Sequence, residues 1–199
     1  MVLLGDSVFD NAAYVAGGPD VVAQLRRTLP AGWRATLAAV DGAVTRDVQR
    51  ELARAPAGAT HLVVSVGGND ALGAEAVLVE RARSVGEGLE RLAQARERFL
   101  KEYRTMLDAA LAPGLPVVAC TIYDPRFPDP LRQRLAVAGL SLFNDVILRQ
   151  AFARGLPVLD LRLVCSEDGD FANPIEPSVQ GGQKIAEAIA RLVLGQPSR

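Results

Sequence analysis

With 199 residues, 49% of them apolar and 23% charged, the chain is long enough to bury about 70% of its unfolded surface without disulfides or metals, which suits one domain over residues 1–199. A net charge of −1, with acids and bases interspersed, leaves no electrostatic footprint for nucleic acid or an anionic membrane surface, and no linker, repeat or low-complexity tract predicts disorder before the last few residues. Two cysteines, Cys120 and Cys165, make no disulfide framework, and the chain opens on a strand-like run rather than a basic and then apolar leader, so the expectation is a cytoplasmic protein with no membrane span.

In chain order, apolar runs rich in Val, Leu or Ile recur at residues 2–4, 35–40, 61–66, 116–122 and 156–161, each followed by Gly, Asp or Asn. They read as five buried parallel strands. Helical patterns fill the intervals at 21–29, 44–53, a long charged stretch around 79–112, and 131–153. Along 79–112 the charges form a solvated face, with Phe99 and Met106 turned inward. A last helix takes Ser178 as its N-cap, places Ile185, Ile189 and Leu192 at helical spacing, and stops at Gly195 with Pro197 beyond. Strict β/α alternation predicts right-handed crossovers and a sheet covered on both faces. The expected fold is a three-layer α/β/α sandwich with a five-stranded, flavodoxin-like sheet in order 2-1-3-4-5.

Three strand ends carry unusual residues. Gly5-Asp6-Ser7 follows the first, Asp41-Gly42 the second, and Gly67-Gly68-Asn69-Asp70 the third. Singly, each reads as an ordinary turn. In a parallel sheet all three meet at the C-terminal edge, where ligands bind. Together they supply what acyl transfer requires: a hydroxyl nucleophile, a glycine whose backbone N–H approaches closely, and a side-chain amide donor for a developing oxyanion.

These blocks resemble those of the SGNH (GDSL) hydrolase superfamily, in family order and along the whole chain: Gly5-Asp6-Ser7 for the nucleophile, Gly42 for the oxyanion glycine, Gly67-Gly68-Asn69-Asp70 for the Gly-x-Asn-Asp block. The resemblance implies a flavodoxin-like α/β/α fold. It also implies deacylation of small esters, thioesters, lysophospholipids or acetylated sugars without metal or cofactor, with an oxyanion hole from Ser7, Gly42 and Asn69. The family's last block, Asp-x-x-His-Pro-Ser, is altered. Asn173-Pro174-Ile175-Glu176-Pro177-Ser178 puts Glu176 in place of the His and Asn173 in place of the Asp. The sole histidine, His61, begins the third strand, and eight steps of about 3.3 Å put it about 26 Å from Asn69, at the wrong edge.

The two exchanges are chemically consistent. Asp beside Glu would repel, whereas an Asn amide can donate to a Glu carboxylate. Glu176 is therefore the candidate base, oriented by Asn173. An ordinary carboxylate pKa of about 4.3 makes it a weaker base than imidazole, and desolvation between Ile175 and Pro177 would raise it. Asp10 and Asp124 are turn or cap residues or secondary carboxylates of the site. Tyr14, Tyr123 and Phe127 either line a substrate pocket or pack at its rim. The leading function is a serine acyl hydrolase of esterase or thioesterase type. Its alternatives are a silent binding protein that has lost its base, and an acyltransferase passing the acyl group from Ser7 to an alcohol.

Overall fold

The computed structural model describes residues 1–195, so Pro197 and the other C-terminal positions lie outside the described residues. Five strands, β1 (Val2–Gly5), β2 (Thr36–Leu37), β3 (Leu62–Ser65), β4 (Val117–Cys120) and β5 (Val158–Leu159), form one parallel sheet in the order β2-β1-β3-β4-β5. The expected fold is therefore the observed one. Among the described residues seven α-helices accompany it: α1 (Val21–Thr28), α2 (Val48–Leu52), α3 (Gly68–Gly73), α4 (Val85–Leu111), α5 (Pro130–Ala153), α6 (Leu161–Val164) and α7 (Val179–Val193).

Strand alternation sorts the core into two halves. Leu3, Val63, Val118 and Cys120 face the side covered by α1 and α7, with Val21, Leu25, Ile185 and Ile189. Val2, Leu4, Leu62, Val64 and Val117 face α4 and α5, with Phe99, Tyr103, Met106, Phe143 and Ile147. Phe99 and Met106 thus turn inward as their spacing suggested. By length and composition α5 is apolar enough to cross a membrane. Here it lies along the molecule against α4, α3 and β4.

The boundaries moved where local chemistry intervenes. At the sheet edge β2 is two residues long because Leu3 O accepts from both Ala38 N and Ala39 N, at 2.9 Å each, so the chain bends away before Val40 N reaches Gly5 O. The charged stretch expected from residue 79 becomes helical only at Val85, where Ser84 caps it by accepting from Glu87 N. Before it lies a separate 3-10 turn, Glu75–Val79. Gly68–Gly73, expected as a turn, is the short helix α3, started by Gly67 at φ +121°.

The end of β1 admits only glycine. Gly5 has φ +121°, and a Cβ there would lie 1.7 Å from Ser65 O on the adjoining strand. This close approach lets Asp6 N reach Ser65 O at 3.0 Å and turns the chain out of the sheet at Ser7. Gly5→Ala should cost at least about 3 kcal/mol in urea unfolding, from positive-φ strain and backbone overlap together.

Candidate active site

Ser7 lies one residue past that turn, buried at 8% exposure. Its neighbours hold the loop locally: Phe9 N and Asp10 N donate to Asp6 O, and Val8 N donates to Asp6 Oδ1. Below the loop, Glu51 on α2 accepts from Gly5 N at 2.7 Å. That buried carboxylate was missed in the sequence, where Glu51 is one more charge on an amphipathic helix.

Across the sheet edge the loop after the fourth crossover delivers Glu176. Residues 170–178 fold back on themselves, with Phe171 and Pro177 forming an antiparallel bridge, Ala172 N donating to Glu176 O and Ser178 N to Asp170 O. The side chain of Ser178 caps α7 by accepting from Gly181 N. Two buried side chains tie this loop to the rest of the site. Tyr123 Oη donates to Ile175 O at 2.6 Å. Asn11, fully buried, donates through Nδ2 to Pro177 O and accepts at Oδ1 from Val21 N, linking the Ser7 loop, the Glu176 loop and α1.

Ser7 Oγ donates to Glu176 Oε1 at 3.0 Å. Glu176 is 5% exposed, and its other oxygen, Oε2, is buried without a hydrogen-bond partner among the described residues. Burial pushes its pKa up to about 7; the Ser7 hydroxyl pulls it down, and Asp41 adds to the upward push. Direct contact between Ser7 and Glu176 is the geometry expected from the sequence. The supporting role expected of Asn173 is not found. Its Oδ1 accepts from Ile175 N and Glu176 N, each at 3.0 Å, so it shapes the loop as an Asx turn and donates nothing to the carboxylate. A short side chain three residues ahead reaches the backbone of Glu176 more readily than its carboxylate.

Asn69 begins α3 and faces the same cavity as Ser7. One of its amide hydrogens goes to Ala43 O at 3.0 Å, leaving the second unassigned to any acceptor among the described residues. Asp70 accepts at Oδ2 from Thr45 N and Thr45 Oγ1, both at 3.0 Å. The start of α3 therefore grips the loop that carries Gly42. That glycine is exposed, at φ +79°, and is not part of the cavity wall. Its neighbours connect it to both partners: Asp41 N donates to Asp10 Oδ2, and Ala43 O receives Asn69.

Of the weaker candidates, Tyr123 and Phe127 line the cavity. Asp10, Tyr14 and Asp124 do not. Tyr14 Oη donates to Asp41 Oδ2 at 2.7 Å, so Tyr14, Asp41 and Asp10 form a polar chain outside the cavity, spent on one another. Asp124 contributes its carbonyl to Arg126 Nη1. His61 lies at the opposite end of β3, its ring 5.2 Å from Trp33 and its Nδ1 3.0 Å from Thr60 Oγ1. Cys120 and Cys165 are buried, and burial pushes Cys120 well above and Cys165 up to about 12, so neither offers a thiolate. Among the described residues no cluster of His, Cys, Asp and Glu is spaced to hold a metal ion.

Three buried carboxyls surround the Ser7 turn. Burial raises Asp6 to about 8, with Glu176, Asp70 and Glu51 adding repulsion, and raises Glu51 to about 7. Each folded-state pKa lies above its unfolded value, so the native chain binds more protons across this interval. The contribution to stability is fully present below about pH 4 and is lost as pH rises through 7 to 8. The melting temperature should be higher at pH 5.5 than at pH 8.5. Glu51→Gln, which keeps an acceptor for Gly5 N, should flatten that difference in a calorimetric pH series.

The model of the GDSL-like lipase/acylhydrolase family matches residues 3–184. Among solved structures, the extracellular lipase of Streptomyces rimosus superposes with a TM-score of 0.69 at 20% identity over 98% of both chains. The phospholipase A1 of Streptomyces albidoflavus NA297 gives 0.65 at 16% over 98% of both. The acetyl xylan esterase AlAXEase gives 0.69 at 16% over 96% of this chain and 98% of its own. No curated protein sequence matches this chain. At such identities the structures speak to the fold alone, but the family model covers Gly5-Asp6-Ser7 and the Gly67-Gly68-Asn69-Asp70 block in one span, and the chain belongs to the GDSL-like lipase/acylhydrolase family.

Proposed function

We propose that this chain is a serine ester hydrolase, of esterase or thioesterase type, in which Ser7 is the nucleophile and Glu176 replaces histidine as general base. The hydrogen bond from Ser7 Oγ to a carboxylate raised to about 7 by burial is the observation that carries this reading. A base acts best with a pKa near the working pH. An exposed glutamate would fall short by between two and three units.

In the proposed cycle, Ser7 Oγ attacks the ester carbonyl carbon as its proton passes to Glu176 Oε1. The carbonyl oxygen takes the negative charge, facing the free N–H of the Asn69 amide, while Gly42, exposed outside the cavity wall, is not assigned to it. As the intermediate collapses, the carbon–oxygen or carbon–sulfur bond to the leaving group breaks. The leaving alkoxide or thiolate recovers the proton from Glu176, leaving an acyl-Ser7 ester. Water then repeats the sequence, with Glu176 accepting its proton, and releases the carboxylic acid. Asn173 holds the loop in register through Ile175 N and Glu176 N rather than touching the reacting atoms.

Ser7→Ala should abolish turnover of short activated esters, and Asn69→Ala should lower kcat by about 10²–10³, the loss of one oxyanion donor. The base is active when deprotonated, so kcat/KM should rise with pH through about 7 and fall on acidification. A histidine would give the same limb, so the decisive comparison is Glu176→Gln, which keeps shape and removes the proton acceptor. It should lose most of the turnover while leaving the melting temperature within a few degrees of the parent. Full activity in Glu176→Gln would remove Glu176 from the mechanism. A parent protein that turns over no ester of any acyl length, yet binds ester analogues, would be the binding protein that has lost its base.

A further inference from the structure

We propose that Asp6 is a further catalytic residue, whose carboxylic acid donates a hydrogen bond from Oδ2 to the carbonyl oxygen of the bound ester, beside the Asn69 amide; this rests on the Ser7 acyl-enzyme reading. Asp6, Ser7, Gly68, Asn69 and Glu176 line one cavity. The Asp6 side chain is 3% exposed, and its Oδ1 accepts from Val8 N at 3.1 Å. Its Oδ2 has no hydrogen-bond partner among the described residues and opens on the cavity. That oxygen abuts the start of α3: a Cβ built on Gly68, the residue before Asn69, would lie 3.6 Å from it.

The titratable groups that face Asp6 are Glu51 on α2, Asp70 on α3, Cys120 at the end of β4, Tyr123 just beyond it, and Glu176. None of them carries positive charge. An ionised Asp6 would stand out of water beside other carboxylates, with one backbone N–H in compensation. Burial first, and then this repulsion, raise the group to about 8. With Oδ1 already accepting from Val8 N, the proton belongs on Oδ2. The result is a buried O–H that lacks an acceptor among the described residues, which is costly unless a ligand brings one.

An ester carbonyl attacked by Ser7 supplies that acceptor. Its oxygen gains negative charge in the tetrahedral intermediate, and the Asn69 amide offers it one hydrogen. A neutral acid adds a second donor without placing another charge beside the oxyanion, and its proton stays on Asp6 throughout. Glu176 and Asp6 thus divide two roles within one cavity. Glu176 acts once it has lost its proton, near pH 7, and Asp6 acts while it keeps its own, up to about pH 8.

Asp6→Asn separates this role from a structural one, because it keeps an acceptor for Val8 N and puts an N–H where the O–H stood, but does not titrate. Measured well below the melting temperature at each pH, kcat/KM of the parent should be bell-shaped, falling again above about pH 8. In Asp6→Asn that alkaline fall should disappear. Its kcat at pH 7 should stay within about tenfold of the parent, whereas Asp6→Ala should lose about 10²–10³ with KM little changed. An Asp6→Asn variant that keeps the alkaline fall, or loses as much kcat as Asp6→Ala, overturns the assignment. Butanone bound to Ser7→Ala reads the same hydrogen bond without turnover. At pH 7 its infrared carbonyl stretch should lie lower than in Ser7→Ala/Asp6→Ala, and the difference should vanish once Asp6 ionises. If that shift is seen and no ester is hydrolysed, Asp6 is the donor and the Ser7 mechanism falls. If esters are hydrolysed at Ser7 and the two ketone bands coincide, the Ser7 mechanism stands and the role of Asp6 is overturned.

Discussion

The structure is organised around a carboxylate taken out of water beside a hydroxyl. Glu176 and Ser7 are 169 positions apart in sequence, and their 3.0 Å hydrogen bond closes only because the first strand and the segment before the last helix end at the same edge of the sheet. Nothing local holds Glu176 there. Asn11 and Tyr123 fix the backbone of its loop, through Pro177 O and Ile175 O, and the packing of α7 on α1 fixes the loop's exit. The oxygen Oε2 remains unsatisfied. A buried, half-paired carboxylate is destabilising to the fold, and the surrounding packing must over-determine it for the arrangement to persist.

In the proposed mechanism burial takes over what an imidazole otherwise supplies. Imidazole titrates near neutrality by its own chemistry, whereas a carboxylate reaches that range only when its charged form loses solvation. Here the same desolvation affects Asp6 and Glu51 on either side of Gly5, so the turn that presents Ser7 collects three carboxyls that resist ionisation together. Among the described residues none has a basic side chain as hydrogen-bond partner. The fold is accordingly more stable at pH values where these groups keep their protons.

The supports of the site are shared rather than dedicated. Asn69 uses one amide hydrogen to hold Ala43 and leaves one toward the cavity, while Asp70 beside it holds Thr45. The Gly42 loop is thus positioned by the very helix that brings the amide donor. Glu51 plays a comparable part beneath Ser7, accepting the N–H of a glycine that can have no side chain of its own.

Short-range chemistry determined much of this from the sequence alone. Short continuous apolar runs alternating with helical segments indicated the number and direction of the strands. Gly5, Gly67 and Asn69 stand at strand ends where a turn, a positive φ or an amide is required, and the family blocks fall on the same positions. The exchange at Glu176 was legible because the flanking Pro177 and Ser178 keep the frame. What needed the tertiary structure is whatever depends on water being absent. No pattern in the sequence separates Glu51, buried under Gly5, from the exposed charges of its helix, or shows that Asn173 turns its carbonyl to the backbone. Nor does it tell that Gly139 packs against Leu78. Solvation and the meeting of distant side chains are properties of the packed chain, and they decided the pKa of Glu176 and the shape of the cavity beside it.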